Sequence, residues 1–318
     1  MKRAEIGSNV DRAAELLRAG ELVAIPTETV YGLAGNGLDE ATIAHIFATK
    51  GRPHFDPLIL HLHATSALDR YVTSIPGWAA ALASAFWPGP LTLVLNKRDV
   101  VPDLATAGLP TIAMRVPNHP MTLALLAELS FPLAAPSANP FGYVSPTTPE
   151  HVLDQLGPRI EYVLDGGPCR IGIESTIVGE VEGQPTVFRL GGISLESLRH
   201  VLPDLQRSKE NSIVAPGMMK SHYAPHVKLV LGEPEEAQSN FAALRFSETL
   251  PDISLNHQIV LSPSGDLHEA AANLFAALRQ LDTMPGIDVA YAELVPDIEL
   301  GRAINDRLKR AAFPIDLQ

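Results

Sequence analysis

The chain has 318 residues and carries 24 Lys and Arg against 36 Asp and Glu, a formal net charge of −12 with His neutral. The length fits two domains at roughly 100–200 residues each, and a 46% hydrophobic content is too high for a disordered chain. Residues 1–205 hold 14 basic and 21 acidic side chains, residues 206–318 hold 10 and 15, so neither half is a basic arm for wholesale binding of a nucleic-acid backbone. Cys169 stands alone, which leaves no intrachain disulfide and no cysteine-based zinc site. No apolar run is long enough to span a membrane, and the N-terminus lacks the apolar core of a signal peptide. Cytoplasmic residence is the expectation.

Residues 10–19 have the pattern of an amphipathic helix stopped by Gly20. Leu22 to Ile25 is a short apolar run ended by Pro26 and predicts a buried strand. A helix is expected over 40–49, ending at Lys50-Gly51. In the strand predicted from Leu58 to His63, Leu58, Leu60 and Leu62 share one face and Ile59, His61 and His63 the other. Further strands are expected at 91–96, 112–116, 132–135, 161–164, 175–179 and 186–190, with helices at 78–86, 120–129, 149–156 and 194–202. Apolar periodicity then fails over 203–213. A segment from Ala215 to Pro225 follows, bounded by proline and glycine yet rich in Met, His and Tyr. Beyond it, strands at 227–231, 258–261 and 287–294 with helices at 266–281 and 299–312 predict a second, smaller α/β unit.

Familiar nucleotide and hydrolase signatures are missing. The chain has no Gly-Lys dipeptide and so no P-loop, and Gly32 to Gly37 has the wrong spacing for a dinucleotide fingerprint. Ser137 lacks the flanking glycines of a hydrolase elbow. Polar clusters remain, each at a predicted strand or helix end. Pro26-Thr27-Glu28-Thr29-Val30-Tyr31-Gly32-Leu33 follows a strand and reads either as a capped turn or as a binding loop. Lys50-Gly51-Arg52-Pro53 reads either as cations favoured at a helix C-terminus or as a phosphate clamp. Ser137-Ala138-Asn139 in extended form would turn both polar side chains the same way. Arg115 and Arg189 interrupt apolar strands and need a carboxylate, a ligand or water for their charge. His61 and His63 share a face, but no third metal ligand accompanies them.

Taken together, the first three clusters, with Pro57-Leu58, resemble the YrdC-type threonylcarbamoyl-AMP synthase family. Glu174-Ser175-Thr176-Ile177-Val178 and Arg189-Leu190-Gly191 resemble its later motifs. Pro216-Gly217-Met218 through Ser221-His222-Tyr223-Ala224-Pro225 resembles the interdomain linker of the long form. Gly301-Arg302-Ala303-Ile304-Asn305-Asp306-Arg307-Leu308 resembles that form's C-terminal domain. Ala215 stands where the family often has Ser, and His54-Phe55-Asp56 replaces an Asn-containing run.

The resemblance implies an α/β fold. Residues 1–205 would form a YrdC-like twisted sheet around a deep concave groove, 206–226 a linker or lid, and 227–318 a smaller Rossmann-like domain. It implies a soluble nucleotidyltransferase that converts L-threonine, bicarbonate or carbon dioxide and ATP to threonylcarbamoyl-AMP and pyrophosphate, with magnesium as the expected ion. Other proteins, a downstream threonylcarbamoyl transferase machinery, would move the group to adenosine 37 of tRNA, so contact with tRNA is expected to be indirect. The family's tetrad falls on Lys50, Arg52, Ser137 and Asn139. Lys50 and Arg52 would hold the triphosphate and offset charge at the α-phosphorus; Ser137, Asn139 and Arg189 would bind the nucleotide. Arg115 fits the threonine carboxylate, with Thr29, Tyr31, His61 and Ser175 as its polar partners, and Thr27 and Glu28 are expected to be structural. His222 and Tyr223 are the lid residues. Competing readings are a non-catalytic RNA-binding protein, a carbamoyl-transferring adenylate enzyme of hydrogenase maturation, whose zinc fingers one cysteine cannot supply, and an amino-acid sensor.

Overall fold

The structure, a computed structural model, describes residues 3–208, 222–234, 240–251 and 253–313. Residues 215–221 of the segment before the second unit lie outside them. In chain order the first unit has strands β1 (Glu5–Gly7), β2 (Val23–Ile25), β3 (Gly32–Asn36), β4 (Ile59–His61), β5 (Leu91–Asn96), β6 (Thr111–Arg115), β7 (Leu133–Ala134), β8 (Tyr162–Leu164), β9 (Thr176–Val181), β10 (Gln184–Arg189) and β11 (Gln206–Arg207). They form one mixed sheet in the order β1-β8-β2-β3-β7-β4-β6-β5-β9-β10-β11. Its helices are α1 (Val10–Arg18), α2 (Glu40–Lys50), α3 (Gly77–Phe86), α4 (Asp103–Thr106), α5 (Pro120–Ala127), α6 (Pro149–Leu156) and α7 (Leu195–Val201). Strands β1, β3 and β11 were not expected from sequence.

The glycine-rich β3 is a strand for steric reasons. A Cβ on Gly35 would come within 2.5 Å of Thr42 and 3.0 Å of Leu22, so glycine lets α2 lie close on the sheet. Helix α2 begins on Asp39, whose carboxylate accepts from the Thr42 amide, and stops at Gly51, whose φ of +63° few other residues adopt. That stop aims Lys50 and Arg52 in different directions from one helix end.

Helices α1 and α5 cover part of one face of the sheet through Leu16, Leu17, Leu125 and Leu126 against Val23, Ile25 and Leu164. Ile59, Val94, Ala113 and Ile177, with Phe188 against them, form a separate apolar strip. Register matters here: β4 and β6 run parallel with Ile59 opposite Ala113 and His61 opposite Arg115. The strip therefore leads into a row of polar side chains at one end of the strands. At the other, Val94 and Phe188 line an open trough that also takes in Trp78, Asn96, Thr111 and Glu180.

The second unit has four parallel strands, β12 (Lys228–Leu231), β13 (Phe241–Arg245), β14 (Gln258–Val260) and β15 (Val289–Ala292), in the order β12-β15-β13-β14. Helices α8 (Leu267–Leu281) and α9 (Gly301–Ala311) accompany them, a Rossmann-like arrangement. Strand β13 escaped the sequence reading because Phe-Ala-Ala-Leu-Arg has no β-branched residue and reads equally as helix.

The units pack tightly. Arg279 of α8 donates to the Val144 and Ser145 carbonyls and to Gln155 Oε1, with its guanidinium over the Tyr143 ring. A Cβ on Gly172 would strike the α8 backbone at 2.4 Å.

Candidate active site

Thr29, Arg52, Leu58, Ile59, His61, Arg115, Ser137, Glu174, Ser175, Arg189, His222 and Tyr223 are among the residues lining one pocket. It lies where β4, β6, β9 and β10 end, against the loops after β2 and β7.

Arg115, the last residue of β6, is buried. Its Nη1 donates to Thr29 Oγ1 at 2.9 Å, its Nε to the Gly89 carbonyl at 3.3 Å, and its Nη2 lies 2.8 Å from Glu28 Oε1. Neither Glu28 oxygen has an aligned hydrogen bond, so this is a contact of charges. The Thr27 hydroxyl closes the turn, donating to the Val30 carbonyl and accepting from the Thr29 and Val30 amides. The segment is a capped turn, built by Thr27 and Glu28, and it turns Thr29 toward the pocket.

His61 is buried beside Arg115. Burial first and the neighbouring cation second push its pKa down to about 3, so the ring is neutral at pH 7, and its Nδ1 has no hydrogen-bond partner among the described residues. His63 is exposed, and among the described residues no three His, Cys, Asp or Glu side chains gather as a metal site. Ser175 Oγ is 2.8 Å from Thr92 Oγ1, and Arg189 donates to both the Ser175 carbonyl and its hydroxyl.

Arg52 turns into the pocket wall. Its Nε and Nη2 donate to the Asp56 and Pro57 carbonyls, and Nη2 lies 2.9 Å from the fully buried Asp56 carboxylate. Lys50 sits behind the lining and donates to the carbonyls of Ser137 and Asn139. Burial and then Arg52 lower its pKa, while Asp56 opposes. Lys50 thus fixes the backbone of the very segment that presents Ser137.

Three predicted site residues stand outside the lining: Lys50, Asn139 and Tyr31. The alternation expected of Ser137 and Asn139 is broken by a turn. Ser137 faces the pocket, whereas Asn139 Nδ2 braces the chain through the Pro140 and Tyr143 carbonyls. The Tyr31 hydroxyl points away, donating to the Gly167 carbonyl and accepting from the Gly166 amide.

Sequence reasoning missed Asp56 as a partner of Arg52, Glu174 as part of the wall, and Arg307 behind it. Ser145 donates to Glu174 Oε1 at 2.9 Å, and Arg307 Nε and Nη2 donate to Oε2 at 3.1 and 3.0 Å. Burial alone would raise the Glu174 pKa, but Arg307 and Arg189 outweigh it and the net direction is down. Glu174 in the lining, and Glu28 and Asp56 behind it, each lie against a guanidinium group. The residues present therefore do not fit a magnesium ion held by the protein.

His222 and Tyr223 close the pocket on the side of the second unit. Tyr223 adopts φ +65°, stacks on Phe275 at 5.3 Å and meets the His222 ring edge-on at 4.0 Å. Burial pushes the Tyr223 pKa up to about 12 and the His222 pKa down to about 3.

A buried pocket with more cations than carboxylates, lined by hydroxyls and neutral histidines, at the strand ends of a mixed sheet, defines an α/β enzyme for small polyanionic substrates. Comparison narrows this class. Residues 15–191 match the family described as "Telomere recombination", and residues 193–313 match "Threonylcarbamoyl-AMP synthase, C-terminal domain". The threonylcarbamoyl-AMP synthase of Pyrococcus abyssi is 40% identical over 316 residues, covering 94% of this chain and 93% of that protein. That of Bacillus subtilis is 39% identical over 321 residues, covering 95% and 92%. The crystal structure of P. abyssi Sua5 complexed with L-threonine superposes with a TM-score of 0.88 at 38% identity, covering 95% of this chain and 94% of that one. The chain belongs to the YrdC/Sua5 family of threonylcarbamoyl-AMP synthases, in its two-domain form.

Proposed function

We propose that this pocket joins L-threonine, bicarbonate or carbon dioxide, and ATP to give threonylcarbamoyl-AMP and pyrophosphate. The observation that carries the reading is the convergence of Arg52, Arg115 and Arg189 with Thr29, His61, Ser137 and Ser175 on one buried pocket. The threonine complex of the P. abyssi protein supports it.

Arg115 receives the threonine carboxylate, because its guanidinium lines the pocket bonded to the Thr29 hydroxyl and beside the neutral His61 ring. His61 offers an unpartnered Nδ1 to the amine or hydroxyl, and Ser175 adds a hydroxyl held by Thr92. The neutral amine attacks the carbon of carbon dioxide, and the carbamate oxygen then attacks the α-phosphorus with pyrophosphate leaving. Arg52 and Arg189 offset the charge on the phosphates, and Ser137 hydrogen-bonds the nucleotide. Lys50 and Asn139 act from behind, by fixing the Ser137 segment.

The amine proton goes to bicarbonate or to a phosphate oxygen. The lining carboxylate Glu174 is held by Arg307, Glu28 and Asp56 behind the lining lie against Arg115 and Arg52, and the buried histidines resist protonation, so the pocket's own side chains are poor bases. Magnesium would enter with the ATP phosphates rather than on protein carboxylates. His222 and Tyr223 serve as the inner edge of a lid that keeps water from a hydrolysable carbamate and mixed anhydride.

No helix among the described residues is long and apolar enough to cross a membrane. The enzyme would work in the cytoplasm, handing its adenylate to a separate transferase, with tRNA contacted indirectly. Pyrophosphate release from ATP, measured with each of the twenty amino acids with and without bicarbonate, tests the reading. Strict dependence on threonine and bicarbonate is the expected result. Release indifferent to both would overturn it.

A further inference from the structure

Helix α9 belongs to the second unit, yet one of its side chains ends at the pocket wall. Arg307 is fully buried and reaches three groups of the first unit or of the segment leading from it. It donates twice to Glu174 Oε2, and its Nη1 donates to the Leu190 carbonyl at 2.6 Å. Its guanidinium also lies over the Tyr223 ring, 5.7 Å from the centroid. Glu174 and Tyr223 both line the pocket, and Leu190 directly follows Arg189.

Phe275 of α8 also reaches the lining, by stacking on Tyr223, but carries no charge; the cations Arg302 and Arg279 stop short of it. Arg302 pairs with Glu196, and Arg279 grips the 144–145 backbone, but neither side chain touches a lining residue through these bonds. A bidentate buried pair is also costly to build, since both ions lose their water. An apolar contact would glue the units together at less cost, so the placement of this charge at the wall calls for a role there.

We propose that Arg307 is a positioning residue for the synthase reaction, occupying Glu174 so that no free carboxylate faces the substrates and carrying the second unit's contribution into the pocket. This rests on the pocket being where ATP and threonine react. Without Arg307, Glu174 Oε2 loses its only hydrogen-bond donors among the described residues, and a carboxylate at the wall repels the triphosphate. The charged and titratable groups then facing Glu174 are Arg189, His222 and Tyr223, with Ser145 still bonded to Oε1. Fewer cations beside a buried carboxylate move its ionisation upward toward the assay range.

The test is steady-state kinetics of pyrophosphate release by the full chain from pH 5.5 to 8.5, with wild type, Arg307→Lys, Arg307→Met and Arg307→Met/Glu174→Gln. Arg307→Met should raise KM for ATP about tenfold with a smaller change in kcat, about 1.4 kcal/mol of binding. Its kcat/KM should also gain an ionisation that wild type lacks. The added Glu174→Gln should abolish that ionisation and recover part of KM, and Arg307→Lys should fall between. If Arg307→Met fails to fold, the double variant, which leaves no unpaired buried charge, carries the test beside Arg307→Lys. Wild-type KM and pH profile in folded Arg307→Met, or in both substitutes, would overturn the proposal while leaving the synthase reading intact. An inactive wild type would instead overturn that reading.

Discussion

Arg115 Nη2 and Glu28 Oε1 lie 2.8 Å apart with both side chains buried, while Arg115 Nη1 is bonded to Thr29. Glu28 balances the charge without an aligned hydrogen bond and leaves the guanidinium at the pocket surface. Two substitutions separate the tasks. Arg115→Lys keeps the charge but cannot reach Glu28, Thr29 and the Gly89 carbonyl together, so KM for threonine should rise about tenfold or more. Glu28→Gln leaves a buried cation unbalanced and should cost about 3 kcal/mol of stability, with KM for threonine no higher than wild type. Urea unfolding and threonine titration read the two effects. An unchanged KM in Arg115→Lys would remove Arg115 from the carboxylate role.

Tyr31 provides a contrast inside the same motif. Its hydroxyl is committed to Gly166 and Gly167, outside the pocket. Tyr31→Phe should lose about 1 kcal/mol of stability and leave KM for threonine and for ATP where they were. A selective rise in threonine KM would return Tyr31 to the substrate.

This contrast explains what the sequence could and could not tell. Residue types and strand ends singled out Thr29, Arg52, His61, Arg115, Ser137 and Arg189, and the family resemblance added Ser175; all of them line the pocket. Alternation works only while the backbone stays extended. It held along β4, where Leu60 is fully buried away from the pocket and Ile59 and His61 line it. It failed at Asn139, where a turn before Pro140 reverses the side chain. Partners distant in sequence were invisible: nothing in Glu174 names Arg307, 133 residues away. The strand β3 was hidden because Gly35 answers to the packing of α2 and Gly32 to the approach of Ala135, not to any local preference.

The resemblance implies that Arg52 holds the triphosphate, a role that on its own would let Arg52→Ala spare folding. Its burial alters that expectation. The guanidinium holds Asp56, a fully buried carboxylate, and two carbonyls of its own loop. Arg52→Ala should therefore abolish turnover and also destabilise by about 3 kcal/mol, because Asp56 is left charged and unpaired. Arg52→Ala/Asp56→Asn should regain most of the stability and none of the activity. Paired thermal melts and pyrophosphate assays distinguish the two effects; full activity in the stable double variant would exclude Arg52 from phosphate binding.

The buried histidines set a pH dependence with a definite sign. His61 and His222 titrate near 6.5 when unfolded but only at about 3 in the fold, through burial first and then nearby cations. Between these limits the unfolded chain binds more protons, so stability is full above pH 6.5 and falls as pH drops toward 3. In mid-window each histidine contributes close to one proton, about 1.4 kcal/mol per pH unit. His222→Gln or His61→Gln should therefore flatten the slope of unfolding free energy between pH 4.5 and 5.5, written as about one proton each, whatever it does to stability at neutral pH. His119 and His151, also shifted down by burial, keep part of the slope in both variants. Denaturant unfolding across that window measures the difference directly. An unchanged slope in His222→Gln would mean that the ring is already protonated in the fold, and Glu174, not the cations Arg52, Lys50 and Arg189, would then dominate its surroundings.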